Sequence, residues 1–259
     1  MKQLTEKQIV ENWEKLLQLI RDTFDEPRCQ RLLDMYDYFE DRMPIAPASG
    51  KAAYHNAMVG GYVEHVLHVT DCALQIKKLW ESDGAEINFT DEELIFAAMH
   101  HDLGKVGDLN QDYYIPQDSE WHRKNRGEIF KHNPNLQYMT VTDRAIFILN
   151  HFGITMSQWE YIGLRLTDGL YEEGNKSYYI SYNPDWALKS NIAYILHQAD
   201  MMATHIEYDQ WMRQDEEYNT QLTTNMKKAV EPKTETKQPS PKLSEKSQDL
   251  FDELFGDKK

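Results

Sequence analysis

Four positions in the chain combine residue types that bind metal ions: His65, the adjacent pair His101-Asp102, and Asp200. Two imidazoles and two carboxylates make a mixed nitrogen and oxygen set, which suits a divalent transition metal. His65 falls inside the stretch GGYVEHVLHVTDCALQI. The His-Asp pair closes an apolar run, LIFAAMHHDLGK, in which Gly104 lets the chain turn sharply. Asp200 stands in IAYILHQADMMATHI, at the border of an apolar stripe formed by Ile192, Ala193, Leu196, Ala199 and Ala203. A carboxylate among such neighbours is costly unless it is paired, protonated or bound to a metal. Each residue alone also has an ordinary use, since a histidine in an amphipathic helix more often packs or faces solvent than ligates.

The elements that must position these residues are helical. Thr5 predicts the N-cap of a helix over 5–24, with Ile9, Trp13, Leu16, Leu17 and Ile20 at helical spacing. A second helix over 27–40 opens near Pro27. Pro44 and Pro47 interrupt the pattern, and a long helix over 59–81 follows. Thr90 with Glu93 predicts a capping box before a helix to about His101, and Thr155 with Gln158 predicts another before a helix to Leu166. Asn183-Pro184 predicts the start of a long helix reaching about Met212. The Tyr- and Ile-bearing stretch 168–182, with Gly169 and Gly174, suits a short hairpin. The expected fold class is therefore all-α, a helical bundle with at most a small β-hairpin.

Composition narrows the class further. The chain has 259 residues, 28 basic against 43 acidic, and a formal charge of −15. Apolar residues make up 41% and aromatics 12%, which is enough for a proper core. No run reaches the roughly 18 consecutive apolar residues of a membrane span, and the amphipathic, charged stretch MKQLTEKQIVENWEKL, without the apolar run of a secretion signal, is not expected to act as one. Cys29 and Cys72 lack the close spacing of a redox or metal pair, so a cytoplasmic protein with free thiols is expected. The acid excess argues against a protein that coats nucleic acid. From Tyr218 onward the chain carries 8 Lys and 7 acidic residues, so the negative charge belongs to the body.

That contrast divides the chain. Residues 1–44 are expected to be helices packing on the bundle, and 45–213 the bundle itself. Residues 214–247, with Pro232, Pro239 and Pro241 and little apolar content, read as a disordered linker. Apolar residues return in the 248–259 peptide, where Leu250, Phe251, Leu254 and Phe255 would share one face of a helical turn. Such a face on a free tail suits a partner groove with a basic rim, or docking onto its own body.

The order of motifs resembles the HD-domain superfamily of metal-dependent phosphohydrolases. Its signature is a first His on one helix, a His-Asp pair running into a Gly-Lys turn, and a distal Asp on a late helix. This chain supplies His65, then His101-Asp102-Leu103-Gly104-Lys105, then Asp200. The lead-in Pro47-Ala48-Ser49, His55-Asn56-Ala57 and Gly60-Gly61-Tyr62-Val63-Glu64-His65 is similar to HD proteins related to 3′–5′ exoribonucleases. The resemblance implies that His65, His101, Asp102 and Asp200 converge on one divalent ion, with Mn, Co, Ni, Fe, Zn and Mg all open. Such an ion lowers the pKa of a water from about 15.7 toward 7. Asp102 would orient or deprotonate the attacking water, and Lys105 would meet a substrate phosphate as a point charge.

Departures from the pattern matter as well. Binuclear relatives carry further histidines in a late segment, where this chain has Leu166-Thr167-Asp168-Gly169. His132 and His151 are the candidates left for a second ion or for substrate. His55, His68, His100 and His197 are expected in packing, supporting hydrogen bonds or substrate contact. Arg123, Lys124 and Arg126 form the dense basic cluster, read either as a phosphate grip beside the metal or as a solvated face. Tyr113, Tyr114 and Trp121 are candidates to stack on a base or to fill the core.

The expected function is hydrolysis of nucleotides, by a nucleotidase or a deoxynucleoside triphosphohydrolase. The alternatives are a 3′–5′ exonuclease or phosphodiesterase on single-stranded nucleic acid, and a non-catalytic replisome-interaction protein with a structural metal. The terminal peptide resembles the sliding-clamp-binding tails of T4-type phage DNA polymerases, which implies a phage-like DNA clamp as partner.

Overall fold

The structure is a computed structural model and describes residues 3–51 and 54–225. Helix α1 (Glu6–Thr23) opens on a capping box, in which the Thr5 hydroxyl accepts from the Gln8 N–H and the Gln8 amide oxygen from Thr5 N–H. Helix α2 (Arg28–Tyr38) follows Pro27. After a 3₁₀ turn over Met43–Ile45 come α3 (Gly61–Ser82) and α4 (Asp91–His100), the latter capped reciprocally by Thr90 and Glu93. A 3₁₀ turn over Leu103–Val106 leads into β1 (Tyr114–Pro116), α5 (Glu120–Arg126) and β2 (Phe130–His132). The remaining helices are α6 (Val141–His151), α7 (Gln158–Arg165), the single turn α8 (Lys176–Tyr179) and α9 (Ile192–Asn225). The fold is all-α with one two-stranded sheet.

Two apolar cores hold these helices. The first joins α1, α2, α3, α4, α6 and α7 around Tyr36, Phe39, Tyr62 and Phe96, none of which is exposed. The second joins α3, α4 and α9, where Ala73, Ala97, Ala98, Ala199 and Ala203 give the helices room to approach. Burying one large apolar side chain fully contributes about 1.5–3 kcal/mol. Leu16, Ile20, Leu32 and Tyr36 share the first core with α3 and α4, so the N-terminal helices belong to the same packed unit. Among the described residues, no helix is long and apolar enough to cross a membrane.

Four expectations about elements are corrected. The hairpin is not in 168–182; it pairs Tyr114 with His132 and Pro116 with Phe130, antiparallel, with α5 filling the connection. Residues 169–179 instead form short helical turns, the first starting at Gly169, whose φ of +54° suits glycine. The cap before α7 is Ser157 with Glu160 rather than Thr155 with Gln158, because the Glu160 carboxylate is also drawn into an ion pair with Arg28 at 2.7 Å. The last helix starts at Ile192, not at Pro184, which opens only a 3₁₀ turn. Side chains of Asn88 and Asn191 bond to the Lys189 and Glu86 carbonyls and tie the intervening segment to the α3–α4 connection. Helix α9 then continues to Asn225, past the expected linker start at 214. The rest of that linker and the 248–259 peptide, with Leu250, Phe251, Leu254 and Phe255, lie outside the described residues.

Candidate metal centre

Helices α3 and α9 pack side by side, and α4 packs on both. His65 sits in the first turns of α3, His101 follows the last residue of α4, and Asp200 lies on α9. Asp102 precedes the 3₁₀ turn that carries Lys105. Gly104 in that turn is not in the left-handed region. What excludes a side chain is close approach, since a Cβ there would lie 2.0 Å from the Val141 carbonyl oxygen at the start of α6. The sequence-based reason for this glycine, a sharp turn, is corrected accordingly.

These elements bring the four residues side by side, each imidazole facing both carboxylates. His65 Nε2 lies 3.3 Å from Asp200 Oδ1 and 3.7 Å from Asp102 Oδ2. His101 Nε2 lies 3.5 Å from Asp102 Oδ2 and 3.8 Å from Asp200 Oδ1. Donors bound about 2.1 Å from one ion, at tetrahedral or octahedral angles, stand about 3.0–3.4 Å apart. Three of these four His–Asp distances exceed that range, by 0.1–0.4 Å.

Both imidazoles are aimed with Nε2 inward. His101 Nδ1 lies 2.7 Å from the Ala98 carbonyl, which only accepts, so Nδ1 carries the hydrogen. His65 Nδ1 is held the same way by the Glu207 carboxylate at 3.0 Å, and His68 Nδ1 meets the other Glu207 oxygen at 2.8 Å. His65 is fully buried, His101 is 4% exposed, and neither Nε2 has a hydrogen-bond partner. The 3.3 Å approach of His65 to Asp200 is thus a charge contact rather than an aligned hydrogen bond. Two bare, buried ring nitrogens facing two carboxylates are the arrangement a metal ion satisfies. Two groups with mutually close donors occur among the described residues: His65, His101, Asp200, and His55, His65, Asp102. Buried His and Asp groups here can hold a metal ion.

Without an ion, the electrostatics are those of a crowded ion network. Burial disfavours a charged His65, but Glu207 and Asp200 override it and raise its pKa to about 10. Burial would raise Glu207, yet His65 and His68 bring it down to about 2. Burial also opposes ionisation of Asp200 and Asp102. The imidazoles of His65 and His101 nonetheless hold Asp200 well below the usual carboxylate range, and Lys105 and His101 hold Asp102 low. Lys105 Nζ donates to Asp102 Oδ2 at 2.6 Å, and this partner raises its pKa against the effect of burial.

The cluster opens onto a cleft of about 600 Å³, lined in part by Asp102, Lys105, Asp168 and Asp200. Asp168 is raised by burial, then by Asp102 and Asp200. Thr167 turns its hydroxyl onto the Gly163 and Leu164 carbonyls, and its own carbonyl accepts from His197 Nδ1. Tyr138 and Tyr171 also line the cleft and are 84% and 81% exposed.

The other expected residues are distributed unevenly. His132 borders the cleft with its ring 4.7 Å from that of Tyr113, but belongs to neither close donor group. His151 ends α6, is exposed, lies against Phe147 and Phe152, and does not line the cleft. Arg123, Lys124 and Arg126 do not line the cleft either: α5 has no buried residue, Lys124 pairs with Glu120, and Arg126 lies over Trp121. Of the two readings of that cluster, its exposure fits the solvated face. Tyr114 borders a small hollow beside Lys105. His100 is fully buried between Tyr36 and Phe96 and donates to the Phe96 carbonyl. Glu207, Asp168, Tyr138 and Tyr171 were not singled out from sequence. Glu207 is three residues beyond Thr204 and seven beyond Asp200, a helical spacing that would place it on the metal side of α9.

Comparison of the chain with protein-family models, curated proteins and solved structures gives no significant match.

Proposed function

We propose that the protein is a metal-dependent phosphohydrolase that acts on nucleotides, cleaving a phosphate ester or anhydride. The observation that carries this reading is the pair of bare, buried Nε2 atoms of His65 and His101 facing Asp102 and Asp200 at the floor of a cleft. His65, His101, Asp102 and Asp200 would hold one divalent ion, whose chemistry is to acidify a water and to neutralise phosphoryl charge. Asp102 would orient that water; in support, it borders the cleft and is held by Lys105. The Lys105 ammonium has three donors, of which Asp102 takes one. Its fixed positive charge favours a phosphoryl oxygen on which negative charge grows.

Size and charge favour a small substrate. The cleft volume falls in the range of small-molecule sites, about 300–1,000 Å³. Tyr138 and Tyr171 present exposed rings along it, on which a base can stack. The net charge of −15 disfavours a long polyanion, while one local cation serves a single phosphate group. The test is a panel of deoxynucleoside triphosphates, monophosphates, cyclic nucleotides and single-stranded oligonucleotides, with Mn²⁺, Co²⁺ or Mg²⁺ and chromatographic readout. Metal-dependent release of phosphate, pyrophosphate or triphosphate from a mononucleotide is the expected result. Shortening of the oligonucleotide alone would replace this reading with a phosphodiesterase, and turnover of nothing by metal-loaded protein would overturn it.

A further inference from the structure

His55 stands next to the cage but outside the four-residue motif. Its ring lies 4.4 Å from that of His65, centroid to centroid. One of its ring nitrogens is within 4.8 Å of ligand atoms of both His65 and Asp102, in a group that shares His65 with the His65, His101, Asp200 group but does not itself include His101 or Asp200. Its Nε2 is buried and has no hydrogen-bond partner. His100 Nε2 is unpartnered too, but it sits in the apolar core between Tyr36 and Phe96, whereas His55 lines the cleft with Asp102, where an ion could take up its nitrogen.

The loop that presents His55 is held in place by several independent contacts. The Ser49 hydroxyl donates to the His55 carbonyl at 2.7 Å. The next carbonyl, that of Asn56, accepts from Ala48 N–H at 3.2 Å and from Met58 N–H at 2.8 Å. Asn56 has a φ of +44°, a left-handed conformation that asparagine tolerates better than most residues. A Cβ on Gly61 would lie 2.1 Å from the Asn56 oxygen, so only glycine lets the start of α3 press against this loop. Backbone from two sides thus fixes the imidazole next to His65.

We propose that His55 is a fifth ligand of the ion, giving a set of three imidazoles and two carboxylates. This rests on His65, His101, Asp102 and Asp200 being metal ligands. Five protein donors suit a six-coordinate ion such as Mn²⁺, Fe²⁺, Co²⁺ or Ni²⁺ better than four-coordinate Zn²⁺.

The test loads the full-length protein and its His55→Ala and His55→Gln variants with Co²⁺, and reads affinity by calorimetry. It then counts the exchangeable, paramagnetically shifted imidazole N–H resonances, one for each coordinated ring. Wild type should bind one Co²⁺ with three such signals. Both variants should show two, with affinity lower by about tenfold or more, since even residues that only support a ligand cost that much. Two signals in wild type, with unchanged affinity in the variants, would overturn the fifth ligand and leave the four-residue site standing. Two Co²⁺ ions per chain would overturn it in favour of a separate site at His55. No Co²⁺ on wild type would remove the metal reading as a whole. If His55→Ala fails to fold by circular dichroism, the wild-type signal count still decides.

Discussion

At the scale of single residues, the centre depends on which way two imidazoles face. Glu207 sets His65 by accepting its Nδ1–H, while a backbone carbonyl sets His101. Glu207→Ala should therefore weaken divalent metal binding about 10- to 100-fold while the helical signal persists, as calorimetry with Mn²⁺ or Co²⁺ would measure. The same contacts fix a pH profile for chelator-treated protein. His65 is raised from 6.5 to about 10, so its stabilisation is complete below pH 6.5 and is lost as pH climbs toward 10. Glu207 is lowered from 4.5 to about 2, so its share is complete above pH 4.5 and is lost as pH falls toward 2. Urea midpoints should be highest between about pH 4.5 and 6.5, and bound metal should abolish the alkaline decline because Nε2 then carries no proton. Lys105→Ala should retain metal yet lower kcat/KM by about 10²–10³, the usual consequence of removing one charge-stabilising donor. The sequence drew His65, His101, Asp102 and Asp200 together through a motif order that resembles the HD-domain pattern, since each alone is an ordinary helix residue, and the structure sets them side by side. Glu207 was not, since its partner lies 142 positions away and a glutamate on a helix is otherwise unremarked.

At the scale of elements, the site depends on close backbone approach at its two glycines. Gly61 meets the Asn56 carbonyl and Gly104 meets that of Val141, each nearer than any side chain permits. Gly104→Ala should destabilise the fold by about 1–3 kcal/mol or more, because backbone cannot rotate aside as a side chain would. Urea denaturation in the presence of chelator would measure this, and an unchanged midpoint would mean that the Leu103–Val106 turn and α6 separate freely. Sequence located α1 and α4 closely because their caps are local, with both partners three residues apart. It missed the start of α9 because Asn183-Pro184 is a sound local cap that here serves a single turn. The competing bonds from Asn88 and Asn191 reach 101 and 105 positions along the chain. The hairpin was misplaced for a similar reason. Tyr and Ile occur in both stretches, and tertiary contact chose 114–132.

At the scale of the whole molecule, an acidic helical body carries a cleft with Lys105 beside Asp102 and Asp200. The class of fold was legible from periodicity, while the position of the basic cluster was not, because charge runs do not reveal which way a short helix faces. The clamp-binding expectation for 248–259 has its own test. Residues 244–259 fused to an inert carrier should retain the cognate clamp, and failure of both fusion and full-length protein would leave only docking onto the body. The central claim is that one metal-holding cluster performs phosphate hydrolysis. Its most direct measurement is metal content and phosphate release on the same preparations of wild type and Asp102→Ala, with Mn²⁺ and the best nucleotide of the panel. The account predicts that the variant keeps its helical signal but loses both the ion and turnover. Full activity in metal-free Asp102→Ala protein would contradict it.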